Sequence, residues 1–292
     1  MENKREIRNA YAFLLPVLLV VVLFILLPVI GTFVNSFYKI TFTGVDREFI
    51  GFNNYYHFLF SKEWSADFWN ATKFTLLFTF VTVVLETFLG MIFALILNET
   101  FKSRAMLRTL ILIPWAIPTV VSAEMWRQIY NSSYGFIKWL MMQFGAPASI
   151  TTLGDFTSAF WALVVAETWK TTPFVVIILL AGLQAIPSDI YKQAKIDGAR
   201  MFKRFFYMTL PLIMPVLTIA MIFRTIDSIR VFDLIYVLTN GKWGTDTLSY
   251  LGYIQYRVDL GKGSTVSVLT FLIAFIITII YIRTARFHKS IK

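Results

Sequence analysis

The chain has 292 residues, of which 57% are apolar and only 15% charged, and its mean hydropathy is +0.67. Soluble domains carry close to a quarter charged residues, so this composition excludes an ordinary soluble enzyme and points to a chain integral to a membrane. The absence of cysteine excludes a disulfide framework and any thiolate metal site. A net charge of +10 has to be located before it can be read as affinity for nucleic acid.

Lys4, Arg5 and Arg8 precede an apolar run from Ala10 to about Ile30. That run exceeds the apolar core of a signal peptide and lacks a small-residue cleavage site. It is long enough for a hydrocarbon core of about 30 Å, so it reads as a retained first transmembrane helix at 10–34. Five further runs follow at 72–97, 108–130, 158–183, 208–229 and 265–285. The third and fourth are the least regular, carrying Pro114, Pro118 and Pro173, and Pro173 is expected to open its helix locally. The reading is therefore all-α and polytopic, six transmembrane helices in one domain over 1–292. The loop at 35–71 holds Tyr55, Tyr56, Trp64 and Trp69, residues suited to a membrane–water boundary.

Basic residues set the orientation. With the N-terminus inside, fifteen of the 27 Lys and Arg fall on the inner segments, against five acidic residues. The N-terminal tail contributes Lys4, Arg5 and Arg8, the second inner segment Lys102, Arg104 and Arg108. The next loop adds Lys192, Lys195, Arg200, Lys203 and Arg204, and the C-terminal tail Arg283, Arg286, Lys289 and Lys292. The remaining twelve basic and twelve acidic residues cancel, so the whole net charge lies on one side. This is a multi-pass topology with both termini inside, and it removes the need for a nucleic-acid partner.

Between the fourth and fifth runs lies a short polar segment compatible with a helix over 189–196. Ser188 is its expected N-cap, Asp189 favours the positive helix start, and Gly198 suits the left-handed position after the helix. Ile190, Ala194 and Asp197 share a face, and a second basic helix, Met201 to Tyr207, leads into the fifth run. The small Ala194, Gly198 and Ala199 would allow another protein to approach the backbone. Periodicity alone is equally compatible with a basic loop held by lipid headgroups.

Charges inside the runs are costly and mark functional candidates. They are Glu86, the pair Glu167 and Lys170, and the series Arg224, Asp227, Arg230 and Asp233 at three-residue steps. One reading has neighbours on the same helix neutralise each other and hold helices together. The other has Glu167, Trp169, Lys170, Asp227 and Ser228 line a central cavity. No phosphate-binding loop is present, because Gly261-Lys262-Gly263 lacks the upstream glycine. No paired catalytic carboxylates or serine elbow stand out, and His57 and His288 match no metal-ligand spacing. The chain thus carries no catalytic or metal residue, and its energy source must be another chain.

Gln193-Ala194-Lys195-Ile196-Asp197-Gly198-Ala199, followed by Leu210-Pro211, resembles the coupling loop of binding-protein-dependent ABC importers, E-A-A-x-x-D-G-A, a spacer, then L-P. Ala194, Asp197, Gly198 and Ala199 match, whereas Lys192 and Gln193 replace the Glu and first Ala. A salt bridge made by that Glu is therefore not carried over, but the docking role is. Gly51-Phe52-Asn53-Asn54-Tyr55, Ile113-Pro114-Trp115-Ala116-Ile117-Pro118 and Val231-Phe232-Asp233 through Asn240-Gly241 are similar to stretches of sugar-importer permeases.

Taken over nearly all of the chain, the resemblance is to permeases of the maltose/trehalose and glycerol-3-phosphate type, in the first-permease, six-span form. It implies the type I ABC importer permease fold in a prokaryotic inner membrane. A coupling loop at about 187–206 would dock on a separate ATPase subunit. The implied partners are a second, similar permease forming a heterodimer, two ATPase subunits that bind ATP and Mg, an extracytoplasmic solute-binding protein, and lipid. Sugar is bound midway through the membrane in this family, a placement that suits Glu167, Trp169, Lys170, Asp227 and Ser228. A sugar- or polyol-phosphate substrate would instead give weight to Lys170 and Arg224. The rival from another class is an ion-coupled secondary transporter using Glu86 or Asp227, with a membrane-embedded enzyme as a weaker third.

Overall fold

A computed structural model describes residues 2–41, 46–147 and 149–289, with side chains over 6–41, 46–147 and 149–284. The tail charges Lys4, Arg5, Arg286, Lys289 and Lys292 lie outside those described side chains. Helices α1 (Glu2–Val21) and α2 (Leu27–Asn35) run into each other through one wide turn at Val22–Leu26. A short hairpin follows, β1 (Tyr38–Ile40) antiparallel to β2 (Arg47–Phe49), with Lys39 opposite Glu48. Next come α3 (Asn53–Phe60), α4 (Ser65–Asn98), α5 (Arg104–Ala116), α6 (Thr119–Ile129), α7 (Phe136–Gln143) and α8 (Phe156–Gln184). The remainder is α9 (Ser188–Ile196), α10 (Met201–Arg204), α11 (Leu210–Ile229), α12 (Asp233–Leu238), α13 (Leu248–Tyr256) and α14 (Leu260–Lys289).

Among the described residues, five helical stretches are long and apolar enough to cross a membrane: Glu6–Asn35, Ser65–Asn98, Phe156–Gln184, Met201–Ile229 and Leu260–Thr284. The sixth, expected as one helix over 108–130, is instead α5 and α6 meeting at a bend of 91°. Pro118 has no N–H for the helix ladder, and its ring pushes Ile117 into extended backbone at φ −73°, ψ 133°. Pro173 does the opposite of what the sequence suggests, since α8 continues through it for 29 residues without opening. The helix is enclosed on that face, and a proline in a spanning helix is tolerated where neighbours supply the missing packing and hydrogen bonds. Asp155 starts α8 in a capping box with Ser158, whose hydrogen bonds hold the Asp155 carboxyl below the usual carboxylate range.

The chain divides into two compact units. In the unit made of 1–68 and 251–271, polar side chains tie separate segments together. Asp259 accepts from the backbone N–H groups of Ile40, Gly261 and Lys262, which caps α14 and anchors the hairpin in one step. Asn54 donates to the carbonyls of Ser36 and Tyr38, both at 3.1 Å, while the Tyr55 and Ser36 hydroxyls are 2.7 Å apart. The glycines of Gly261-Lys262-Gly263 serve packing: a Cβ on Gly261 would strike the Tyr38 carbonyl, and Lys262 lies over the Trp64 ring at 4.5 Å. Replacing Asn54 by leucine removes both donors without much change in volume. The Ser36 carbonyl keeps the Thr265 hydroxyl at 3.1 Å, so the expected cost is about 1–3 kcal/mol from the Tyr38 carbonyl left without its donor, read as a lowered thermal midpoint of the detergent-purified protein.

The other unit, 69–250 and 272–292, contains two apolar clusters. One gathers Phe74, Phe78, Phe160, Leu163, Leu234 and Ile235, and the other Met91, Ala94, Val176, Leu179, Ile213 and Leu217. On α4, α8 and α11 the charged residues Glu86, Glu167 and Arg224 fall in the intervals separating these clusters. A polar layer therefore crosses three spanning helices between two greasy halves.

Candidate functional site

Arg224 is the centre of that layer. Its Nε donates to Glu86 Oε2 at 2.6 Å and its Nη2 to Glu86 Oε1 at 3.2 Å. The same Nη2 reaches Glu167 Oε1 at 3.0 Å, and Nη1 reaches Asp227 Oδ2 at 3.1 Å. The Thr171 hydroxyl lies 2.7 Å from both Glu86 Oε1 and the Glu167 carbonyl. Glu86 is fully buried and Arg224 is 3% exposed, whereas the Asp227 side chain is 59% exposed. A guanidinium offers five donors in a rigid fork, so one arginine can satisfy acceptors from three directions where an ammonium cannot. The cluster pins α4, α8 and α11 together and runs from the buried interior to an accessible carboxylate.

Of the charges singled out within the runs, Arg224 and Asp227 do pair along a single helix. Glu167 and Lys170 do not turn to each other: Glu167 goes to Arg224 on α11, and Lys170 Nζ donates to the Ile117 carbonyl at 2.5 Å. Of the five cavity candidates, Glu167 and Lys170 are buried and engaged by protein, and Ser228 is fully buried with its hydroxyl 3.1 Å from that of Thr82. Trp169 and Asp227 retain surface. Trp169 stands edge-on to Trp126 at 5.7 Å, and Trp126 stacks on Tyr130 at 5.4 Å. Thr171 and Trp126 were not singled out by sequence. Thr171 carried a signal, since it lies one helical turn after Glu167, whereas Trp126 meets Trp169 only through the fold.

The segment after α8 forms the short helix α9. Its N-cap is Pro187, not Ser188, because Pro187 already has extended backbone and its carbonyl accepts from Ile190. At the other end Gly198 takes φ +73°, Ala199 N donates to the Ala194 carbonyl at 2.9 Å, and Gly198 N to that of Lys195 at 3.1 Å. These two bonds define a Schellman ending, which requires the left-handed residue that glycine supplies without penalty. Ala194 is 1% exposed, so its small size lets α9 close against its own protein. Asp197 and Gly198 are exposed and Ala199 half-buried. Around them Ile196, Met201, Phe202 and Tyr207 project as exposed apolar side chains, interleaved with Lys195, Arg200 and Lys203. A patch of this kind marks a surface for a protein partner or a membrane. The Tyr191 hydroxyl is 3.2 Å from that of Thr209, which ties α9 to the root of α11. The expected second helix, Met201 to Tyr207, ends as α10 at Arg204 and passes through a wide turn at Phe205–Thr209 into α11.

Residues 86–292 match the family described as binding-protein-dependent transport system inner membrane component. The chain is 49% identical to the trehalose/maltose transport system permease protein MalF of Thermococcus litoralis, over 98% of this chain and 96% of that one. It is 38% identical to the trehalose transport system permease protein SugA of Mycobacterium tuberculosis, over 82% and 75% of the two chains. A solved bacterial ABC transporter involved in the import of the acidic polysaccharide alginate superposes with a TM-score of 0.82, at 21% identity, over 98% and 99% of the chains. At that identity the likeness shows the fold alone.

Proposed function

Because the chain belongs to the binding-protein-dependent transport system inner membrane components, we propose that it conducts a disaccharide of the trehalose or maltose class. It is a non-catalytic, multi-pass permease subunit of an ATP-driven importer of sugar. The observation that carries the substrate class is the 49% identity, along almost the whole of both chains, to a permease named for trehalose and maltose. The accessible Trp169 face and the Asp227 carboxylate suit such a ligand: an aromatic ring packs on the C–H surface of a sugar, and a carboxylate accepts from its hydroxyls. Glu167, Lys170 and Ser228 support that surface from behind, being engaged by other protein groups.

The segment at 187–206 is the coupling element in this reading, with Asp197 and Gly198 facing the partner and Ala194 and Ala199 shaping the turn. Its partners are two ATPase subunits; a second permease and a solute-binding protein outside the membrane complete the assembly. Both termini and α9 lie on the cytoplasmic side, in agreement with the basic residues on those segments. Closure of the ATPase pair would move α9, and the link from Tyr191 to Thr209 would carry that motion into α11.

The test is uptake by proteoliposomes containing the full complex and its binding protein, with radiolabelled trehalose and maltose competed by a panel of other solutes. ATP-dependent uptake that is competed by disaccharides is the expected result. Uptake that ignores ATP, or that is competed only by monosaccharides or polyol phosphates, would overturn it. Asp227→Asn should raise KM about tenfold, the loss of one hydrogen bond to a charged acceptor, with the complex still assembled.

A further inference from the structure

We propose that Lys170 is a positioning residue for transport, one that holds the third span bent at Ile117–Pro118. The inference rests on the permease reading above. Helix α5 ends at Ala116, and the carbonyls of a last helical turn have no donor within their own helix. Pro118 contributes no N–H, and hydrocarbon offers no water, so an unmet carbonyl there costs several kcal/mol. Lys170 Nζ meets the Ile117 carbonyl at 2.5 Å. A cation at that place also complements the negative end of the α5 dipole.

Both arms of the bent span grip α8 on either side of this contact. Trp115 of α5 packs on Phe174 with ring centroids 6.1 Å apart, and Trp126 of α6 meets Trp169 at 5.7 Å. Phe174 and Trp169 flank Lys170 along α8, and Phe174 also stands edge-on to Phe223 of α11. Glu167, one turn before Lys170, is held by Arg224. The bend and the ion cluster therefore share one stretch of α8, and a shift of α11 is felt at the elbow of the third span. The ammonium is committed to a backbone carbonyl and 9% of the residue is exposed, so it holds the frame and does not grasp the solute.

The chain contains no cysteine, so a spin-label pair can be introduced cleanly at Met106→Cys and Met125→Cys, exposed positions on the two arms. A right-angled elbow puts these positions about 20 Å apart and a straight helix about 28 Å, from the rise of 1.5 Å per residue. In the reconstituted complex, Lys170→Met should lengthen and broaden the distance distribution. It should also lower kcat for uptake about tenfold with KM unchanged. Lys170→Arg should keep the short distance and most of the uptake. Lys170→Gln, a neutral donor one bond shorter, should fall in between and gives the reading if the methionine variant does not assemble. A short distance retained in Lys170→Met or Lys170→Gln would overturn the proposal, and a raised KM with the bend intact would make Lys170 a solute ligand. A wrong substrate class would show differently, as failure of the unsubstituted complex to take up disaccharide while the distance change persists.

Discussion

Replacing Arg224 by leucine is expected to remove most of the folded protein from the membrane. The substitution leaves the Glu86 and Glu167 carboxylates facing each other across a buried site, with one donor from Thr171 between them. Removing one partner of a buried ion pair costs about 3–5 kcal/mol, and here a single side chain serves two buried carboxylates. The measurement is the yield and thermal midpoint of the detergent-purified chain, followed by uptake in the reconstituted complex. Adding Glu86→Gln to Arg224→Leu should recover part of the stability, because it removes the charge that the arginine had met. Arg224→Lys should fall short of the natural residue, since one ammonium cannot reach Glu86, Glu167 and Asp227 at once. Normal stability of the leucine variant would mean that the cluster does not bind the three helices together.

The sequence displayed the charges of this cluster but not its wiring. Glu86 and Arg224 are 138 residues apart, and nothing in local spacing selects one partner over another. Three-residue steps favour pairs along one helix, which is how Glu167 and Lys170 come to look like each other's partners. The buried carboxylates Glu86 and Glu167 are instead met from another helix, where one guanidinium satisfies acceptors on both. Apolar runs, by contrast, register the membrane directly: five emerged as single spanning helices at nearly their full extent, and the third as the bent pair α5 and α6. Prolines were ambiguous for a physical reason. The same residue type breaks the third span at Pro118 and leaves α8 continuous at Pro173, and the surrounding packing separates the two outcomes. Gly198 was legible because its role is local: a Schellman ending needs a left-handed residue whatever the rest of the fold does.

Gly198→Val should leave the spans folded and abolish most ATP-driven uptake. The residue sits at φ +73° with nothing within 4 Å of an added Cβ, so the penalty is conformational and not a clash. A left-handed backbone costs an ordinary residue roughly 1–2 kcal/mol, and a β-branched side chain tolerates it worst. That strain is enough to release the bonds from Ala199 and Gly198 back onto α9 and to unfix Asp197 beside them. Thermal stability should barely change, because the loop is exposed and the spans do not depend on it. Uptake should fall more than tenfold, and stimulation of the ATPase by loaded binding protein should fall with it. Gly198→Asn separates geometry from chemistry, since asparagine accepts the left-handed region several-fold more readily than other residues and should retain most of the transport. Ala194→Leu acts by a different route: the site is 1% exposed, and overpacking it costs about 1–3 kcal/mol, tilting α9 away from its own protein. If Gly198→Val transported normally while Ala194→Leu did not, the orientation of α9 would carry the coupling and the ordered turn after it would be dispensable.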